Sequence, residues 1–206
     1  MTEETLRPLG RIAGLQIQRS SLKQGQKPNR WFDPAPLLPV KELTLTPAGA
    51  LARAADGSYL LDIHHGAHPA TRNNGSNDIS LGFTSHYAAM RDQFGPHLTD
   101  GIAGENILIA CSAIVRPADL GADIAIRPAA GGKLIWLHGV RVMPPCVEFS
   151  TYAGRSAEPE AVKSALQFLG DGLRGFCGRL PAGAAVTIAV GDEVLAGNRP
   201  ASGSAE

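Results

Sequence analysis

The chain has 206 residues, of which 44 % are hydrophobic and 18 % charged, with 24 glycines and 15 prolines. That length fits one domain, and the composition excludes a disordered chain, a coiled coil or collagen in favour of a globular protein rich in turns. Nineteen Lys plus Arg balance nineteen Asp plus Glu, leaving no net field to draw in a nucleic acid or an anionic membrane, so a small-molecule partner is expected instead.

Residues 1–9 are polar, without periodicity, and are expected to form a flexible N-terminus; 10–196 are expected to form the domain and 197–206 a flexible tail. Glu3, Glu4 and Arg7 stand where a secretory signal needs an apolar stretch, and no apolar run is long enough for a membrane span, which predicts a cytoplasmic protein. Ile12, Leu15 and Ile17 predict a first strand, and the alternation from Val40 to Thr46 predicts another. Between them, Ser20 to Pro39 carries Pro28, Pro34, Pro36 and Pro39 around Trp31-Phe32, a long irregular excursion of the kind that serves function. Ser85 is placed to cap a helix bearing Tyr87, Met90 and Phe94 on one face, stopped by Gly95-Pro96. A second helix starts near Pro159, repeats Val162, Ala165, Leu166 and Leu169, and ends at Gly170. Strands are predicted over 105–110, 122–127, 133–142, 174–180 and 184–195. Many short strands with two helices predict a mainly β fold closed into a barrel, because closure removes exposed edges.

Familiar catalytic signatures fail. Gly131-Gly132-Lys133 lacks the spacing of a phosphate loop, Gly172, Gly175 and Gly178 do not match a dinucleotide fingerprint, and no nucleophile elbow or zincin motif is present. The densest cluster is Asp62-Ile63-His64-His65-Gly66-Ala67-His68. Adjacent histidines on extended chain point to opposite faces, which argues against a metal tripod. Two readings stay open: a turn with one histidine held inward by a hydrogen bond, or a site where Gly66 admits a ligand and a histidine or Arg72 binds its anionic group.

The cysteines Cys111, Cys146 and Cys177 are an odd set with no C-x-x-C pair, so neither a disulfide framework nor a four-cysteine zinc site is supported. Cys111 and Cys177 read as small buried hydrophobes. Cys146 follows Pro144-Pro145, which withdraw two backbone donors and put it at a strand end or bend. A thiolate fixed there suits a soft transition metal. A cysteine nucleophile with His138 as base is the competing idea, and it needs a tight reversal across eight residues.

In order along the chain, Gly10-Arg11-Ile12-Ala13-Gly14, His64-His65-Gly66, the helix from Ser85, Gly104-Glu105-Asn106-Ile107, Pro145-Cys146, Gly172-Leu173-Arg174-Gly175-Phe176 and Gly191-Asp192-Glu193-Val194 resemble the MOSC domain family, the module named after the C-terminal part of molybdenum cofactor sulfurase. The resemblance implies a MOSC-type closed β-barrel that binds the molybdenum cofactor (molybdopterin), with Cys146 as both metal ligand and catalytic residue. It also implies that Glu105 and Asn106 shape the pocket, and that His65, Arg72 and Arg174 are the candidates for the cofactor's anionic tail. The activity it implies is reduction of N-hydroxylated or related small molecules with electrons from a separate donor. The alternative is a non-catalytic sulfur carrier, holding a persulfide on Cys146 for a transfer partner. The chain departs from the family pattern at Met143, where many members have arginine, and at Arg141, where they have glutamine.

Overall fold

The computed structural model describes residues 6–71, 78–183 and 185–197. Its first strand, β1 (Arg7–Gln18), buries Leu9, Ile12, Leu15 and Ile17, and is long enough to pair with several partners. The strands that follow are β2 (Lys23–Gln24), β3 (Trp31–Phe32), β4 (Leu37–Val40), β5 (Glu42–Thr46), β6 (Gly49–Arg53), β7 (Tyr59–Leu61) and β8 (Ile79–Phe83). After these come helix α1 (Thr84–Phe94), β9 (Ile107–Ala110), β10 (Asp123–Arg127), β11 (Ile135–Val142), α2 (Val147–Gly154) and α3 (Pro159–Phe168). The last described strands are β12 (Phe176–Arg179), β13 (Val186–Ala189) and β14 (Glu193–Gly197).

The order β14-β10-β11-β12-β8-β9-β1 returns on itself because β1 also pairs with β14, from Arg7 opposite Ala196 to Arg11 opposite Glu193. The described residues therefore form a mainly β structure with three α-helices around a closed seven-stranded barrel. Every neighbouring pair in the ring is antiparallel except β8 and β9, which are parallel and joined through α1. Ile12, Ile79, Leu81, Ile107, Ile124 and Val194 fill the interior. A smaller sheet, β13-β5-β6-β7, packs its Leu43, Leu45, Ala50 and Ile188 into the same core. A second core, with Leu22, Phe32, Tyr87, Met90, Phe149, Ala153 and Leu169, joins the helices to the β2–β3 hairpin.

Several expectations change. Regular pairing starts at Arg7, before the predicted boundary at Gly10. The stretch 40–46 is two strands in different sheets: β4 pairs with β1 at the edge, where Pro39 removes no needed donor, while β5 belongs to the smaller sheet. The stretch 184–195 is likewise divided by the turn at Gly191, into β13 and β14. Ser85 is not a cap. The N-cap of α1 is Phe83, and Ser85 lies inside the first turn, its Oγ without a hydrogen-bond partner among the described residues. The helix ends at Gly95 as its sequence predicts, with the Gly95 N–H donating to Arg91 O. Helix α3 runs from Pro159 to the predicted end, burying Ala165 and Leu169. The excursion 20–39 contains a hairpin, β2 with β3, and the edge strand β4. No helix of the described residues is long and apolar enough to cross a membrane.

Candidate functional site

Period-two alternation decides which side chains leave the barrel interior. Ile79 and Leu81 point inward on β8, so Ser80 points outward; on β12 Phe176 points inward and Cys177 outward, directly paired with Ser80. Gln18 emerges in the same way at the end of β1. Between this outer wall and the helical layer lies an open cavity of about 1080 Å³, ample for a cofactor or substrate. Gln18, Ser80 and Cys177 form its barrel side, the β2–β3 hairpin a second side, and Met143, Cys146 and Phe149 a third.

Cys146 reaches this wall through local backbone chemistry. Met143 N donates to Gly175 O at 2.9 Å, after which Pro144 and Pro145 have no N–H to continue the ladder. Cys146 then becomes the extended N-cap of α2, φ −115° and ψ 155°, its carbonyl accepting from Ser150 N at 2.9 Å. It is half-buried and lines the cavity. His138, its proposed base, pairs instead with Asp123 across β10 and β11, Nδ1 to Oδ1 2.9 Å, and is not part of the cavity wall.

Glu105 and Asn106 lie behind the wall rather than on it, 1 % and 2 % exposed. Glu105 accepts from Tyr87 Oη and from Arg174 Nη1, both at 2.5 Å, while Arg174 Nη2 donates to Ala103 O at 2.5 Å. The guanidinium carbon lies 5.2 Å from the Phe149 ring centre, so Arg174 lines the cavity with its plane fixed by a carboxylate, a carbonyl and an aromatic face. Burial, and then the Glu105 charge, push the Tyr87 hydroxyl well above its ordinary range, so it donates a proton to the carboxylate without losing it. Gly104 makes this turn possible. Its φ is +97°, and a Cβ there would lie 2.6 Å from Leu22 Cδ1 and 2.7 Å from Gln18 Nε2.

Asn106 ties three segments together: its Oδ1 accepts from Ser80 N and Oγ, and its Nδ2 donates to Asp62 Oδ2 at 3.0 Å. Asp62 also accepts from Gln18 N and from His64. Burial raises the Asp62 pKa, but the His64 side-chain bond, the His64 charge and the backbone bonds outweigh it and hold the carboxyl below its usual range. The turn exchanges the roles of the two histidines. His64 lines the cavity; His65 is buried behind it, accepting from Ala67 N at 3.1 Å through Nδ1 and lying 3.4 Å from Thr46 Oγ1. Burial lowers the His65 pKa more than the Asp62 charge raises it, with His68 lowering it further, which keeps the ring neutral. Arg72 lies outside the described residues. Arg141 faces outward and binds Asp78 through both terminal nitrogens, so it does not supply the cavity arginine that the MOSC resemblance would lead one to expect. Among the described residues, no three His, Cys, Asp or Glu side chains gather around a metal-sized space; a metal held here would need ligands from a cofactor beside Cys146.

No family model matches the chain, and no curated protein matches it by sequence. Among solved structures it is similar to the YuaD protein from Bacillus subtilis, at 13 % identity with a TM-score of 0.56, over 94 % of this chain and 100 % of that one. It is also similar to a crystal structure described as a hypothetical protein, at 15 % identity and a TM-score of 0.51, over 96 % of this chain and 69 % of the other. The likeness is one of fold.

Sequence reasoning singled out Cys146, Glu105 and Arg174, and the fold brings these into one neighbourhood. It read Cys177 as a small buried hydrophobe, which the structure does bury but in the cavity wall, and it passed over Phe149 and the cavity-facing lysines of the hairpin. The signal for the last was already present in a proline-rich excursion carrying Lys23, Lys27 and Arg30.

Proposed function

We propose that the cavity is a molybdenum-cofactor site of the MOSC kind, in which the Cys146 thiolate is the protein's ligand to the metal and the bound group reduces N-hydroxylated or related small molecules. The observation that carries this reading is that Cys146, at the margin of the second apolar core, is only half-buried and opens onto a cavity of about 1080 Å³. A single soft thiolate is the contribution a protein makes when the remaining sulfurs come with the cofactor. When bound, the cofactor supplies the two-electron redox chemistry. The chain supplies placement: Pro144 and Pro145 fix the direction of the sulfur, Phe149 and Phe32 exclude water from one side, and Arg174, immobilised by Glu105, offers its remaining donors to an anionic group. On the opposite side Gln18, its Nε2 held by Gly104 O, contributes its amide oxygen to the wall, suited to the amide-like edge of a pterin.

The test is molybdenum content after purification from a host that makes the cofactor. Native protein is expected to carry the metal and Cys146→Ser to lose it. Equal metal in both would refute the ligand role, and a labile sulfur adduct on Cys146 found by mass spectrometry, without turnover of a hydroxylamine, would favour the sulfur-carrier alternative.

A further inference from the structure

The chain is electrically neutral as a whole, yet one side of the cavity is not. Lys23 Nζ lies 3.7 Å from Glu148 Oε2, and Arg30 Nε lies 3.4 Å from Glu148 Oε1, so two cations share one carboxylate. Lys27, in the loop between them, also lines the cavity, and makes no ion pair or hydrogen bond with any described residue. The terminal nitrogens of Arg30 are likewise left with their donors open among the described residues. Three positive side chains of one short hairpin therefore line the cavity, two of them sharing one carboxylate and the third paired with none among the described residues. What sets the hairpin apart is Lys27: the other charged groups of the wall each meet an opposite charge, Arg174 on Glu105 and Asp78 on Arg141 and Arg179. Like charges gathered on one side of a cavity raise the local potential, and an anion entering beside them relieves it.

We propose that the β2–β3 hairpin is an anion subsite for the small molecule the cavity admits, whose substrate carries a carboxylate or phosphate group bound by Lys27, Arg30 and Lys23. Arg30 supplies the planar fork that matches either anion, while the lysines act as point charges. Ser21 and Gln26, also in the wall, add neutral hydrogen-bonding groups. Assigning the anion to the substrate, and not to the cofactor's tail at Arg174, rests on the cofactor reading above; binding of an anion at the hairpin does not.

Trp31 follows Arg30 and is 57 % exposed, which makes it a built-in reporter. Its fluorescence is followed while inorganic pyrophosphate is added at constant ionic strength, to protein purified from hosts with and without the cofactor; Trp31→Phe serves as the optical blank. Saturable binding is expected in both preparations, weakened tenfold or more by Lys27→Gln and by Arg30→Gln, and unchanged by Lys163→Gln on α3. Absence of saturable binding, or equal binding by the Lys27 and Arg30 variants with unchanged melting temperatures, overturns the subsite. Binding seen only in the cofactor-free preparation overturns the substrate assignment and gives the hairpin to the cofactor. Molybdenum missing from both preparations overturns the cofactor reading, and the substrate assignment with it, while the titration of the cofactor-free protein still decides the anion site.

Discussion

Replacing Glu105 by Gln keeps the shape of the side chain and removes its charge, at a point where three segments of chain converge. In the native protein the carboxylate takes hydrogen bonds from Tyr87 and Arg174, is 1 % exposed, and neutralises a guanidinium whose own side chain is only 14 % exposed. An amide at 105 offers one acceptor instead of two. Tyr87 Oη already accepts from Ala103 N, so its own proton loses its partner, and Arg174 is left as a cation with little water around it. Breaking a buried pair from one side costs about 3–5 kcal/mol. For a chain of this length, each kcal/mol lowers the melting temperature by roughly 2–4 °C, so a fall of about 10 °C is expected. Urea unfolding of Glu105→Gln, Arg174→Met and the double variant closes the cycle. The double variant should lose less than the sum of the two single losses by more than about 1 kcal/mol, because it leaves no isolated charge. A Glu105→Gln loss below about 1 kcal/mol, or simple additivity, would refute the idea that this pair is dehydrated and mutually dependent.

His86 predicts a pH dependence of stability. It is 1 % exposed, and burial lowers its pKa from 6.5 to about 4, outweighing the backbone bonds that raise it. A histidine whose folded pKa is depressed stabilises the fold above the unfolded value of 6.5, and that contribution is lost as pH falls from 6.5 towards 4; it amounts to at most about 3 kcal/mol at 1.36 kcal/mol per unit. Urea midpoints between pH 7 and 4 should fall in native protein and flatten in His86→Gln; an identical slope in both would exclude this histidine as the source. Two glycines of similar backbone conformation should separate strain from crowding. Gly183→Ala, at φ +82° with no atom of the described residues beyond its chain neighbours within 4 Å of its Cβ, should cost about 1 kcal/mol, whereas Gly104→Ala adds overlap with Leu22 and Gln18 and should cost about 2–4 kcal/mol. Equal losses on urea unfolding would show that the Gly104 turn yields without strain.

Local signals in the sequence determined much of this protein. Apolar alternation fixed most strands, Gly95 stopped α1, and Pro159 with the repeat to Leu169 set α3. The two prolines before Cys146 already required its backbone to leave the sheet, because neither can donate to a ladder. Helix α2 escaped because its eight residues are too few for a repeating apolar stripe, and its N-cap, Cys146, makes no side-chain capping bond. The stretch 40–46 misled for a related reason. Alternation records which faces are buried, and says nothing of which neighbour each strand takes, so β4 and β5 looked continuous.

Tertiary structure alone decided what faces the cavity. Glu105 meets Arg174 only because β8 pairs with both β9 and β12, and a one-residue slip in that register would turn Ser80 and Cys177 into the barrel. The choice of His64 over His65 depended on a turn clamped by Asp62, whose other hydrogen bonds come from β1 and from Asn106. Residue types and spacings carry the local backbone preferences, but the side of a wall on which a charge or thiol finally lies is set by contacts between segments distant in the chain, and those exist only once the barrel has closed.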